Sequence, residues 1–134
     1  MKMLLVGLAL AGALGRVAIA QSPAHPAAMS PVGTWRGTSS CLVRPSPCND
    51  EIVVYRITTS KSADSLSIDA RKIVHGEEEE MGVFGCRFAR QSGELACAIA
   101  RGVWRFTVRG DSLTGELRLR DDTRYREVKA VRAP

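Results

Sequence analysis

The sequence has 134 residues, is 45% hydrophobic and carries a formal net charge of +5, which describes one small globular domain with one core and excludes a second domain. The positive excess is mild, and the low aromatic share of 5% argues against a nucleic-acid partner. Four cysteines in so short a chain point to two disulfides and an oxidising compartment.

Met1-Lys2-Met3 opens the chain, and Leu4, Leu5, Val6, Leu8, Leu10 and Leu14 lead to Ala18-Ile19-Ala20. A charged start, a short apolar stretch and small residues at the last and third-last positions describe a secretory signal peptide over residues 1–20. The apolar stretch is shorter than the ~20 residues a spanning helix needs, so no stable membrane anchor is expected. Cleavage after Ala20 leaves 17 basic and 14 acidic residues, a net +3. Residues 21–32 contain Pro23, Pro26 and Pro31 among Ala and Ser and read as a disordered arm or linker, with order beginning near Gly33.

From residue 33 to 132 the sequence alternates apolar and polar residues between turn signals, without sustained helical periodicity. The segments 33–41, 51–59, 64–74, 81–90, 94–101, 102–109, 112–120 and 123–132 read as strands. Gly110-Asp111 suits a two-residue hairpin turn with Gly first, setting Val108 opposite Leu113, Phe106 opposite Gly115 and Trp104 opposite Leu117. A loop around Lys61-Ser62 sets Ile57 opposite Leu66 and Tyr55 opposite Ile68. Cys86 with Cys97, Phe88 with Leu95 and Phe84 with Ile99 share one register, as an antiparallel hairpin requires. That register predicts one disulfide between Cys86 and Cys97, and the short loop at Pro45-Ser46-Pro47 predicts another between Cys41 and Cys48. Sequential hairpins with one apolar face leave exposed edges unless the sheet closes. The expected fold is therefore all-β, an antiparallel up-and-down barrel of about eight strands in a single domain, residues 33–132.

Catalytic chemistry has little to draw on, since the histidines are His25 in the arm and His75 at a strand end. His75 precedes Glu77, Glu78, Glu79 and Glu80, but adjacent like charges without ligand spacing define no coordination sphere. They read as a solvated acidic loop that keeps an edge soluble. No metal site, cofactor or enzymatic activity is expected. Arg105, Arg109, Arg118, Arg120, Arg124 and Arg126 crowd the last strands and read as a solvent face alternating with a core; nucleic acid is not an expected partner. The last strand has no apolar face: Tyr125, Glu127, Lys129 and Val131 form one side and Arg124, Arg126, Val128, Ala130 and Arg132 the other.

Gly33-Thr34-Trp35, at the start of the first strand and directly after the arm, resembles the Gly-x-Trp motif of lipocalin-like (calycin) barrels. The resemblance implies that Trp35 plugs a closed barrel end and that Arg132 or Arg126 covers it. This chain is shorter than a typical lipocalin, and it lacks the Thr-Asp-Tyr segment and a C-terminal helix. Arg124-Tyr125-Arg126 is similar to the Arg and Tyr pair of fatty-acid-binding barrels, though not in spacing. It makes Arg124, Tyr125, Arg126 and Arg132 the candidate ligand-binding residues. The chain also resembles the periplasmic inhibitors of secreted metalloproteases, in which a proline-bearing arm enters the protease cleft; Gln21-Ser22-Pro23 is the matching segment. The expected function is that of a secreted or periplasmic, monomeric, non-enzymatic binding barrel for a small apolar or amphipathic ligand. The alternative is a protease inhibitor or other protein-binding barrel.

Overall fold

The computed structural model describes Ala20 and residues 30–134. The expected signal peptide (Ala20 apart) and the arm up to residue 29 lie outside the described residues. Eight strands follow in chain order: β1 (Gly33–Cys41), β2 (Glu51–Ser62), β3 (Ser65–Val74), β4 (Glu77–Ala89), β5 (Glu94–Ile99), β6 (Gly102–Arg109), β7 (Ser112–Leu119) and β8 (Arg124–Arg132). Each pairs antiparallel with the next and β8 returns to β1, so the sheet closes into an up-and-down barrel. No helix occurs among the described residues.

Alternation along the strands builds the core. In β6, Trp104, Phe106 and Val108 point inward, and across the β7 ladder they meet Leu117, Gly115 and Leu113, as the sequence predicts. Gly110 adopts φ 59° at the intervening turn, a conformation that glycine reaches without steric cost. Gly115 makes room for the ring opposite: a Cβ there would stand 2.4 Å from Cδ1 of Phe106. The Phe106 ring stacks on Trp104 at 5.2 Å and meets Tyr55 edge-on at 5.6 Å. Trp35, Val53, Ile57, Leu66, Ile68, Leu95 and Val128 complete the buried cluster.

Both disulfides pair as expected. The Cys41 and Cys48 sulfurs stand 2.04 Å apart and those of Cys86 and Cys97 2.00 Å apart. The first bridge closes the loop between β1 and β2, and the second joins β4 to β5 across the barrel wall.

Four expectations are corrected. The β2–β3 hairpin pairs Ile57 with Ile68 and Tyr55 with Ala70, two residues from the expected register, because β2 runs on to Ser62 and a bulge lies between Thr59 and Ser62. The slip is even, so the same side chains still face inward. The glutamates 77–80 are not a loop but the first four residues of β4. His75 and Gly76 both have positive φ, 50° and 83°, which is what a two-residue type I′ turn demands, and pairing resumes at once between Val74 and Glu77. Phe84 and Ile99 do not pair, since the β4–β5 ladder ends at Arg87 opposite Ala96. Order also begins ahead of Gly33: the Trp35 indole N–H donates to Pro31 O at 2.8 Å, and Arg132 donates to Val32 O and Ser30 O, both at 2.9 Å.

Candidate binding surface in the barrel wall

The start of β1 and the end of β8 meet at one end of the barrel, which Trp35 closes. Its ring is fully buried, and the Arg132 guanidinium lies 4.2 Å from the ring centroid, a favourable cation–π contact. Gly33 makes this arrangement fit, because a Cβ there would come within 2.8 Å of Arg132 Nη1 and its φ of 138° suits only glycine. The three residues of the Gly-x-Trp motif and Arg132 thus form one device, a plug with its cover.

At the opposite end Arg126 points inward, with only 11% of its side chain exposed. It donates to Ser39 Oγ at 2.8 Å and to Asn49 O, and faces Glu51 at 3.4 Å. A buried guanidinium needs such partners. Here they tie β8 to β1 and to the disulfide loop. Asp50 strengthens that loop by accepting from Cys41 N at 2.8 Å and from Arg44 Nη2 at 2.7 Å. The Cys41 amide, more than the arginine, holds the Asp50 carboxyl below its ordinary value.

The four candidate ligand residues are therefore not one cluster. Arg126 and Arg132 sit six residues apart on β8, about 20 Å at the usual strand rise, at opposite ends of the barrel. Arg124 leaves the inward face altogether. A bulge shifts the β7–β8 register so that Leu117 pairs with Arg126 but Arg118 pairs with Arg124, and Arg124 turns outward to Glu116. Its hydrogen bond is the main reason the Glu116 carboxyl lies below its ordinary value. Tyr125 lies partly buried against the core, under the Arg101 guanidinium at 4.8 Å.

Tyr55 is nearly inaccessible at 2% exposure, and burial pushes its phenol above the ordinary value of 10.0 against the opposing Arg126 charge. A phenol held neutral by the fold contributes stability that is complete below pH 10 and is lost as pH rises further, with a slope of ~1.4 kcal/mol per pH unit. Urea unfolding at pH 9 and pH 11 is expected to show a fall that Tyr55→Phe reduces by ~1.4 kcal/mol in total, since only the unit above pH 10 contributes. Equal falls in both proteins would remove Tyr55 as the cause.

The feature that sequence reasoning missed is the wall between β4 and β5. β4 has 13 residues and β5 only 6, and three residue pairs join them. Beyond the bridge from Cys86 to Cys97 the two strands part. Residues 77–85 of β4 are held by β3 on one side, and among the described residues no strand pairs with them on the other. Val83 is 61% exposed and Met81 38%. A surface groove of about 670 Å³ lies beside this opening, lined by Ser65, Gly85, Arg87, Phe88, Ala96 and Ala98 among others. Within the opening, Phe84 and Ile99 are only partly buried, as are Leu119 and Tyr125 at the same end.

The glutamates at the start of β4 divide by partner. Arg56 makes a two-pronged contact with Glu78, both distances 2.8 Å, and that hydrogen bonding holds the Glu78 carboxyl below its ordinary value. Lys72 lies 3.8 Å from Glu79. Glu77 and Glu80 are exposed and form no ion pair among the described residues.

Neither the models of known protein families nor the sequences of curated proteins match this chain. The closed eight-stranded antiparallel barrel is compatible with a lipocalin-like architecture.

Proposed function

We propose that the protein is an exported, monomeric, non-enzymatic barrel of lipocalin-like type that binds a partner protein through the opening between β4 and β5. One observation carries this reading: the interior is occupied by the protein's own rings and aliphatic side chains, whereas the β4 edge is unpaired and presents Met81 and Val83 to solvent. Open strand edges are normally covered, shortened or charged, so an exposed apolar one is a docking surface in waiting. Two disulfides in so small a domain support an oxidising, periplasmic or extracellular location. Arg132 is spent on covering Trp35 and Arg126 on closing the disulfide loop, which leaves Arg124 as a surface ion pair rather than a ligand clamp.

A second reading has its own support. Phe84, Ile99, Leu119 and Tyr125, partly buried at one end, would seat the tail of a small apolar or amphipathic ligand. Site-specific photo-crosslinking in the native host, with a photoreactive residue at position 83 and a control at position 107, separates the two. A protein adduct from position 83 alone is expected. A protein purified with a stoichiometric small molecule, and giving no protein adduct from position 83, would replace the first reading with the second.

A further inference from the structure

We infer that the β4 edge over residues 77–85 accepts an extended, lysine- or arginine-bearing segment of the partner as an added strand. This rests on the protein-binding reading above and names the chemistry of its occupant. Phe88 N donates to Asp64 O on the β3 side, while Ala89 O accepts from Gly93 N on the β5 side. Amide direction alternates along an antiparallel strand, so the N–H and C=O of Gly85 and Val83 face the β5 side, where the ladder has already ended. They are main-chain donors and acceptors without a strand to satisfy them among the described residues, which is the chemistry that strand addition uses. Space exists for an incoming backbone. Gly85 on β4 and the small Ala98 on the parted end of β5 both line the adjoining groove.

Charge selects the occupant. Glu77 and Glu80 carry carboxylates without an ion partner among the described residues, at one end of the edge, while Met81 and Val83 follow as an exposed apolar stretch. A strand carrying cationic side chains toward one end and apolar ones toward the other complements this order. A second copy pairing edge to edge in antiparallel register would set the glutamates of each copy against Met81 to Gly85 of the other, so Glu77 and Glu80 would lack the opposite charge that a lysine- or arginine-bearing strand supplies. Edge protection alone accounts for glutamates 77–80, but it leaves the unguarded stretch from Met81 to Gly85 unexplained.

The test titrates the mature chain with an alternating Lys-Val octapeptide, its alternating Glu-Val counterpart, and a Lys-Val peptide N-methylated at every second amide. Saturable binding of the first is expected, with no detectable binding of the second. The N-methylated peptide, which leaves the protein untouched, should bind more than about tenfold more weakly because the added-strand hydrogen bonds are lost. E77Q combined with E80Q should weaken the Lys-Val peptide about tenfold at an unchanged melting temperature. Equal binding of the N-methylated peptide would overturn the inference by showing charge adhesion without strand addition. A concentration-dependent dimer that excludes the peptide would assign the edge to a second copy. An intramolecular cross-link from position 83 to residues 21–29 would assign it to the chain's own arm. If position 83 cross-links a partner protein while the Lys-Val peptide fails to bind, the choice of occupant fails alone; if both fail, the protein-binding reading falls with it.

Discussion

Trp35→Ala is expected to lower the unfolding free energy by ~3–5 kcal/mol, the usual cost of emptying a fully buried aromatic site. Trp35 has no exposed surface and is held from three directions: by the barrel interior beneath, by Arg132 above at 4.2 Å, and by its indole N–H to Pro31 O. The substitution therefore removes the plug, leaves Arg132 without its aromatic partner and deprives Pro31 O of its hydrogen bond. For a domain of this size the loss corresponds to a fall in Tm of more than about 12 °C. Arg132→Ala should cost less, ~1–2 kcal/mol, since the cation–π contact contributes ~0.5–2 kcal/mol and the indole stays buried. Thermal and urea unfolding of both variants check the ordering. If Arg132→Ala proved as damaging as Trp35→Ala, the arginine and not the ring would be the element that closes this end.

Replacing both Cys86 and Cys97 by Ala should destabilise the barrel by ~2–4 kcal/mol, the range for losing a native disulfide from a small secreted domain. Chain entropy alone does not distinguish this bridge from the other, since the separations are 11 and 7 residues. Position does. The bridge from Cys86 to Cys97 stands at the last point where β4 and β5 touch, beside a ladder of three residue pairs, and Cys97 is fully buried. The bridge from Cys41 to Cys48 closes a loop at the barrel rim, where the Asp50 and Arg126 hydrogen bonds remain. The first double variant should therefore have the lower urea midpoint, and the amides of β5 should exchange faster with solvent while those of β6 and β7 keep most of their protection. Matching midpoints for the two double variants would show that the β4–β5 wall does not depend on its bridge.

Much of the architecture was legible because local chemistry and barrel geometry agree. In β6 and β7 strict alternation and a Gly-Asp turn specify pairing residue by residue, since a turn of fixed length sets the register of both strands. The same logic placed Cys86 opposite Cys97. The β2–β3 hairpin was read with the right faces and a register two residues off, because a bulge inserts residues that no composition rule announces. The bulge in β8 had a larger consequence: it turned Arg124 outward and separated it from Arg126, so a face read as Arg124, Arg126, Val128, Ala130 and Arg132 lost its first member. A run of four glutamates read as loop because propensity disfavours it in a strand. Arg56, Arg71 and Lys72 on the neighbouring strands offset that preference with opposite charge.

Sequence by itself determined the closed all-β topology, the core residues and both disulfide partners, because each follows from alternation, turn chemistry or spacing within neighbouring strands; that an arginine covers Trp35 was implied only by the resemblance of Gly33-Thr34-Trp35 to the lipocalin-like motif. Only the tertiary structure decided that Arg132 covers Trp35, since that depends on the β1–β8 register, which sets Trp35 opposite Arg132 and Cys41 opposite Arg126. It alone also opened the wall between β4 and β5. A 13-residue strand and a 6-residue strand share three residue pairs, after which β4 follows β3 and β5 follows β6. That separation arises from closing a twisted sheet with unequal strands, a property of the assembled barrel that no local segment carries.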